Sequence, residues 1–214
     1  FLWLTIYEKR DFKTLGLELN EGFFKFIRGF IMGIVIVALT IIIAIKSQLA
    51  TVPLYYTRTD FKSFLNVFGI YFLAYIIQGF AEEIEFRGFI MQSINNRFQV
   101  VVAIIVQTVL FTISHAIISR ADDIFFIFIP IVSIVFALYV LWDESLWGVC
   151  AIHGVYNAGI YIVGIKYMGL KSFDSYIYNE IGSALDKASL PVFFILGVFL
   201  IIKITKRNLK SSIN

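Results

Sequence analysis

Residues 63–98 read SFLNVFGIYFLAYIIQGFAEEIEFRGFIMQSINNRF. The first half, 63–80, is apolar and of a length that crosses a bilayer. The second half brings in Glu82, Glu83, Glu85 and Arg87 without a helix breaker, since 80–97 has no proline and only Gly88 as a weak point. An apolar span that runs without a stop into charge predicts one long helix, or two helices broken near Gly79. NNRFQ, 95–99, is the natural turn that ends it.

The same length criterion finds further spans on both sides. Residues 22–45 form the first and 63–80 the second. Residues 100–118 form the third, and 124–142 the fourth, with a kink expected at Pro130. Residues 146–165 form the fifth and 190–204 a short sixth, leaving 166–189 as the only long polar loop after the second span. Asp122 and Asp123 read as the N-cap region of the fourth span, and Asp143 and Glu144 as a tight loop before the fifth.

Hydrophobic residues make up 59% of the chain and charged ones 15%, against about 45–50% and about 25% in soluble domains. The expected fold class is therefore all-α: a polytopic transmembrane helical bundle of about six spans, one integral membrane domain over 1–214. A net charge of +3 gives no sign of a nucleic-acid partner. The lysines and arginines read instead as topology signals. Alternating spans place 11 of the 18 on the side of the 95–99 turn, which puts segment 8–21 and the C-terminus in the cytoplasm. Cys150 is the single cysteine, so no intrachain disulfide forms, and it reads as a small buried residue. FLWLTIY, 1–7, lacks a basic flank and is not a signal peptide; it could be the tail of an earlier membrane helix, and the sequence is read as an N-terminally truncated fragment.

Ionisable groups inside a span cost about 2.5–3.5 kcal/mol at its centre, so they normally face a bundle interior or a wet cavity. Three clusters qualify: Glu82, Glu83 and Arg87; His115; and His153 with Asn157. Glu83 and Arg87 are spaced i, i+4 in the acid-first order, which favours an intrahelical ion pair and leaves Glu82 on another azimuth. His153 and Asn157 share one helix face, as do Phe111 and His115. Glu82 lies about 16 residues before the centre of the turn and His115 about 17 after it, so in an antiparallel pair both stand roughly 24 Å from it. A carboxylate, two imidazoles and a carboxamide would gather partway into the membrane, open to the cytoplasm. Each cluster alone also fits a packing or hydrogen-bonding role, and Glu85 reads as a surface or cavity residue.

EEIEFR at 82–87, FTISH at 111–115 and HGVYN at 153–157, in that order on separate spans, resemble the EExxxR, FxxxH and HxxxN/D motifs of the CPBP (Abi) family, the CAAX protease and bacteriocin-processing membrane proteins. Gly88 fits the common FRG form, and EKRDFKTLGL, 8–17, resembles the cytoplasmic segment before the first core helix. The resemblance covers roughly 8–165, with a protease-like core over 64–165. It implies an intramembrane endopeptidase related to the type II CAAX prenyl endopeptidase, acting on a peptide or lipidated protein. It also implies roles: Glu82, or also Glu83, activates water; His115 shares that water; His153 and Asn157 stabilise the oxyanion; Arg87 is structural. The residue chemistry accords with water attack assisted by a carboxylate base and imidazole or carboxamide donors. Glu82, His115 and His153 are also legitimate zinc ligands. No HExxH is present, and the reading leans to metal-independent activation. A bacterial plasma membrane and a role in bacteriocin processing or self-immunity are expected if the source is bacterial. The alternatives are a non-catalytic immunity or scaffold factor, or a transporter that uses the same polar cavity.

Overall fold

The computed structural model describes residues 12–49, 61–118, 122–167 and 175–211, with the side chains of 12–13, 61–68, 118, 162–167, 175–181 and 210 left aside. FLWLTIY and the charged residues 8–10 lie outside the described residues. Among those described the protein is helical throughout. A short 3-10 turn (Phe12–Leu15) precedes α1 (Gly22–Lys46), and α2 spans Phe61–Glu83. A π-helical stretch (Ile84–Met91) and the short α3 (Gln92–Asn95) follow α2 without a gap. The remaining elements are α4 (Val100–Ile118), α5 (Phe125–Asp143), α6 (Trp147–Tyr167) and α7 (Ser175–Ser211).

The helix expected through 80–97 is therefore continuous, with no break at Gly79, but its middle is π rather than α. Pro130 lies inside α5, and the helix runs through it. The Asp122 carboxylate accepts the Phe125 N–H at 3.0 Å, as an N-terminal cap should. Asp143 is the last residue of α5, and Glu144 follows in the left-handed region at φ 52°. The Asp143 side chain is buried in an ion pair with Arg28 of α1, whose neighbour one turn back, Lys25, donates to the Asp143 carbonyl at 3.0 Å. Asp143 thus ties α1 to α5 and is not a loop residue.

One sequence expectation needs correction. Residues 166–189 were expected to form a loop, yet α7 begins at Ser175 and runs through Pro191 to Ser211. Within it, 182–189 is helical and packs on other helices rather than forming a loop. Leu185 and Ala188 pack on Ala44, and the Ser189 hydroxyl bonds Thr40 of α1 at 3.1 Å and Tyr156 of α6 at 2.8 Å. The Ser189 hydroxyl, polar and inside this stretch, is thus satisfied by other helices.

Helix α6 holds the bundle together: α1 and α2 both pack along it, while α5 packs on α4 and α7. Apolar side chains gain little from leaving lipid for one another, so membrane helices associate through close backbone approach at small residues. The contacts here follow that rule. A Cβ on Gly29 of α1 would stand 2.0 Å from the Gly148 carbonyl oxygen of α6. A Cβ on Gly154 of α6 would stand 2.7 Å from the Ile76 Cα of α2, beside Gly79. Large apolar side chains cover the outside, as Ile105, Val109, Ile113 and Ile117 do along α4. Such a surface suits lipid, not water. Among the described residues four helices, α1, α4, α5 and α7, are long and apolar enough to cross a membrane. The second and fifth predicted spans correspond to α2 and α6, whose side chains are described over 69–83 and 147–161.

Candidate active site

The three polar clusters come together between α2, the π-helical stretch, α4 and α6. The Glu83 carboxylate is fully buried and receives two charged or polar donors on one oxygen. Arg87 Nη1 donates to Glu83 Oε1 at 3.0 Å, and His153 Nδ1 lies 2.7 Å from the same oxygen. The intrahelical pair read from the i, i+4 spacing is thus present, and His153 completes it from α6.

Glu82 takes a different position. Its side chain retains 20% exposure. Oε1 accepts a hydrogen bond from Gln78 Nε2 at 2.8 Å, one turn earlier on α2. Oε2 has no hydrogen-bond partner, and it faces His115 Nε2 at 3.5 Å and His153 Nε2 at 3.7 Å. The matched depth expected for Glu82 and His115 is met.

The two histidines are oriented by their other ring nitrogens. His115 Nδ1 lies 2.9 Å from the Phe111 carbonyl, to which it donates, since a carbonyl can only accept. His153 Nδ1 donates to the Glu83 carboxylate by the same reasoning. Each neutral ring is then left with a lone pair on Nε2, and both lone pairs are turned toward Glu82 Oε2. Phe111 is buried and tilted on the His115 ring with centroids 4.2 Å apart. Asn157 lies one helical turn beyond His153 on the same face and is half-buried, with no hydrogen bond to either glutamate or histidine.

Arg87 is buried completely and held from several sides. Its guanidinium stacks over Phe111 at 4.5 Å and lies 5.6 Å from the Phe136 ring of α5. Nη2 donates to the Ser133 carbonyl and hydroxyl oxygens, both at 3.1 Å. Ser133 in turn bonds Gln107 Oε1 and Thr108 Oγ1 of α4, each at 3.3 Å. Phe136 also packs on His153, with centroids 5.2 Å apart. Helix α5 therefore shapes the site although no motif lies on it. Sequence reasoning missed Gln78, Gln107, Ser133 and Phe136. The two glutamines carried a signal, since each is a polar residue inside a span at helical spacing from Glu82 or His115. Ser133 and Phe136 carried none, because a serine or phenylalanine in a span is ordinary.

Residues 64–159 match the family model described as type II CAAX prenyl endopeptidase Rce1-like. The segment is similar to that family over somewhat less than half of the chain. No curated protein and no solved structure matches the chain. The Rce1-like segment contains Glu82, Glu83, Arg87, Phe111, His115, His153 and Asn157, and it ends inside α6. The similarity is to a family of CAAX-type intramembrane endopeptidases, whose general activity is proteolysis. The donor types of Glu82, His115 and His153 would suit zinc. Among the described residues, however, no three histidine, cysteine, aspartate or glutamate side chains converge as a metal's ligands would. The side chains as placed do not form a ready metal cage.

Proposed function

We propose that the protein is an intramembrane endopeptidase in which Glu82 activates a water for attack on a peptide bond. The observation that carries this reading is that Glu82 Oε2 faces the Nε2 atoms of both His115 and His153, whereas Glu83 Oε2 has no such facing groups. When the side chains part to admit a water, that water would donate one hydrogen to Glu82 Oε2 and the other to His115 Nε2. Its oxygen lone pair attacks the carbonyl carbon as Glu82 takes the proton. The tetrahedral oxyanion is received by Asn157 Nδ2 and by His153 Nε2, the latter after taking a proton from solvent before the substrate binds. Collapse breaks the C–N bond, and Glu82 returns its proton to the leaving amine. Each step uses a group whose lone pair or N–H is free to act.

Glu83 is assigned a different task. Both Arg87 and His153 occupy its Oε1, so it fixes the ring and counters the buried guanidinium. The substrate class is a peptide or lipidated protein that reaches the membrane, with the site opening toward the cytoplasm. In a bacterium this would fit bacteriocin processing or self-immunity at the plasma membrane.

The test is purified protein in detergent or vesicles, offered membrane peptides including a prenylated CAAX peptide. Wild type should cleave, and Glu82→Gln and His115→Ala should lose cleavage while keeping their elution profile and melting temperature. Undiminished turnover in Glu82→Gln sinks the proposal.

A further inference from the structure

The polar strip that starts at Glu82 and His153 does not end there. On α2, Gln78, Tyr75 and Tyr71 precede Glu82 by four, seven and eleven residues, all near one face of the helix. On α6, Asn157 and Tyr161 follow His153 by four and eight residues, again on one face. The helices run antiparallel, so the two faces stay side by side as they leave the site. The ring contacts confirm that register. Tyr161 packs on Tyr71 with centroids 4.7 Å apart and on Tyr75 at 5.1 Å. The register is held close by Gly154, whose missing side chain lets α6 reach the Ile76 Cα and the Tyr75 carbonyl.

From His153 to Tyr161 is about 12 Å along the helix axis. The direction is away from the 95–99 turn. The strip has a graded chemistry. Next to Glu82 stand two carboxamides, Gln78 and Asn157, suited to a peptide backbone. Beyond them stand three tyrosines, which combine an apolar ring with a hydroxyl. Tyr71 keeps 37% of its surface open. Three tyrosines along one seam between α2 and α6 are more than packing against lipid requires, since leucine would serve the lipid equally well.

We infer that this strip is the substrate's specificity subsite: Gln78 and Asn157 hold the backbone beside the scissile bond, and Tyr71, Tyr75 and Tyr161 receive an apolar side chain about three residues away. Three residues of extended chain span about 10 Å, which matches the distance from the site to the rings. The assignment rests on the protease reading above, but its test separates the two. Wild type and Tyr161→Ala would each be given a series of vesicle-borne peptides that differ at one position, from Ala to Leu to Phe, scanned along both sides of the cleaved bond. Wild type should prefer Leu or Phe at one position. Tyr161→Ala should raise KM by about fivefold to twentyfold for those peptides only, with kcat little changed, while Tyr161→Phe should behave as wild type. A loss that is the same for every peptide, or no loss, overturns the subsite while cleavage itself stands.

If no peptide is cut, the subsite is still tested by binding. Diazirine-bearing forms of the same peptides should label residues 71–78 or 157–161 of the Glu82→Gln protein, and Tyr161→Ala should weaken that labelling. Labelling confined to other helices overturns the inference.

Discussion

Glu82 and Glu83 are neighbours with opposite surroundings, and that contrast sets the sharpest expectations. A positioned general base contributes typically 10²–10⁴-fold, so Glu82→Gln should lower kcat by about that factor with little change in stability. Glu83→Gln strips the charge that opposes a fully buried Arg87. Breaking a buried pair from one side costs about 3–5 kcal/mol, so this variant should show a clear drop in melting temperature in detergent. Abolished turnover in a stably folded Glu83→Gln, beside an active Glu82→Gln, would reverse the assignment. Metal dependence is tested at the same scale: protein shown by elemental analysis to be metal-free should retain full turnover after chelator treatment. Loss that zinc restores would overturn metal-independent activation. The division between the glutamates was legible in the sequence because i, i+4 spacing commits Glu83 to Arg87 before any fold is known. The second partner of Glu83 was not legible, since nothing in a helix repeat says which nitrogen of a distant histidine will face it.

At the scale of elements, the glycines of α6 carry the assembly. Gly154→Val should force α2 from α6, because the new side chain would meet the Ile76 backbone rather than a flexible tip. Activity should fall along with melting temperature, whereas Gly182→Ala, with open space around it, should leave both unchanged. Equal effects of the two substitutions would contradict the packing described. Span lengths and order were readable from apolar runs alone, because lipid demands a fixed crossing length. The helical stretch 182–189 of α7 was not readable. Asp186 and Lys187 lower their apolar score, yet Leu185, Ala188 and Ser189 meet partners on α1 and α6, more than 25 residues away in sequence. Tertiary satisfaction of that kind leaves no local trace.

For the whole molecule, the proposed orientation follows from where positive charge collects. A cysteine introduced in place of Lys210, in a Cys150→Ser background, should react with an impermeant maleimide only after cells are opened. A cysteine at Gln48, at the far end of α1, should react in intact cells. The reverse pattern would turn the site toward the outside. The motifs told which residues meet, since three spans each carry one cluster. They could not tell that α5 closes the site from behind, for its contributions are a serine and a phenylalanine.

A π turn holds more residues than the α-helix on either side of it, so Ile84–Met91 acts as an insertion kept in place. Deleting one residue there would give a more regular helix, but the side chains between Glu83 and Met91 would lose their present spacing around the axis. Arg87 would swing off Ser133 and Phe136, and Glu83 would lose its counter-charge. The stretch works as a phase setting between two halves of one helix. A lineage that shortened it would gain an easier helix and lose the alignment on which the site depends.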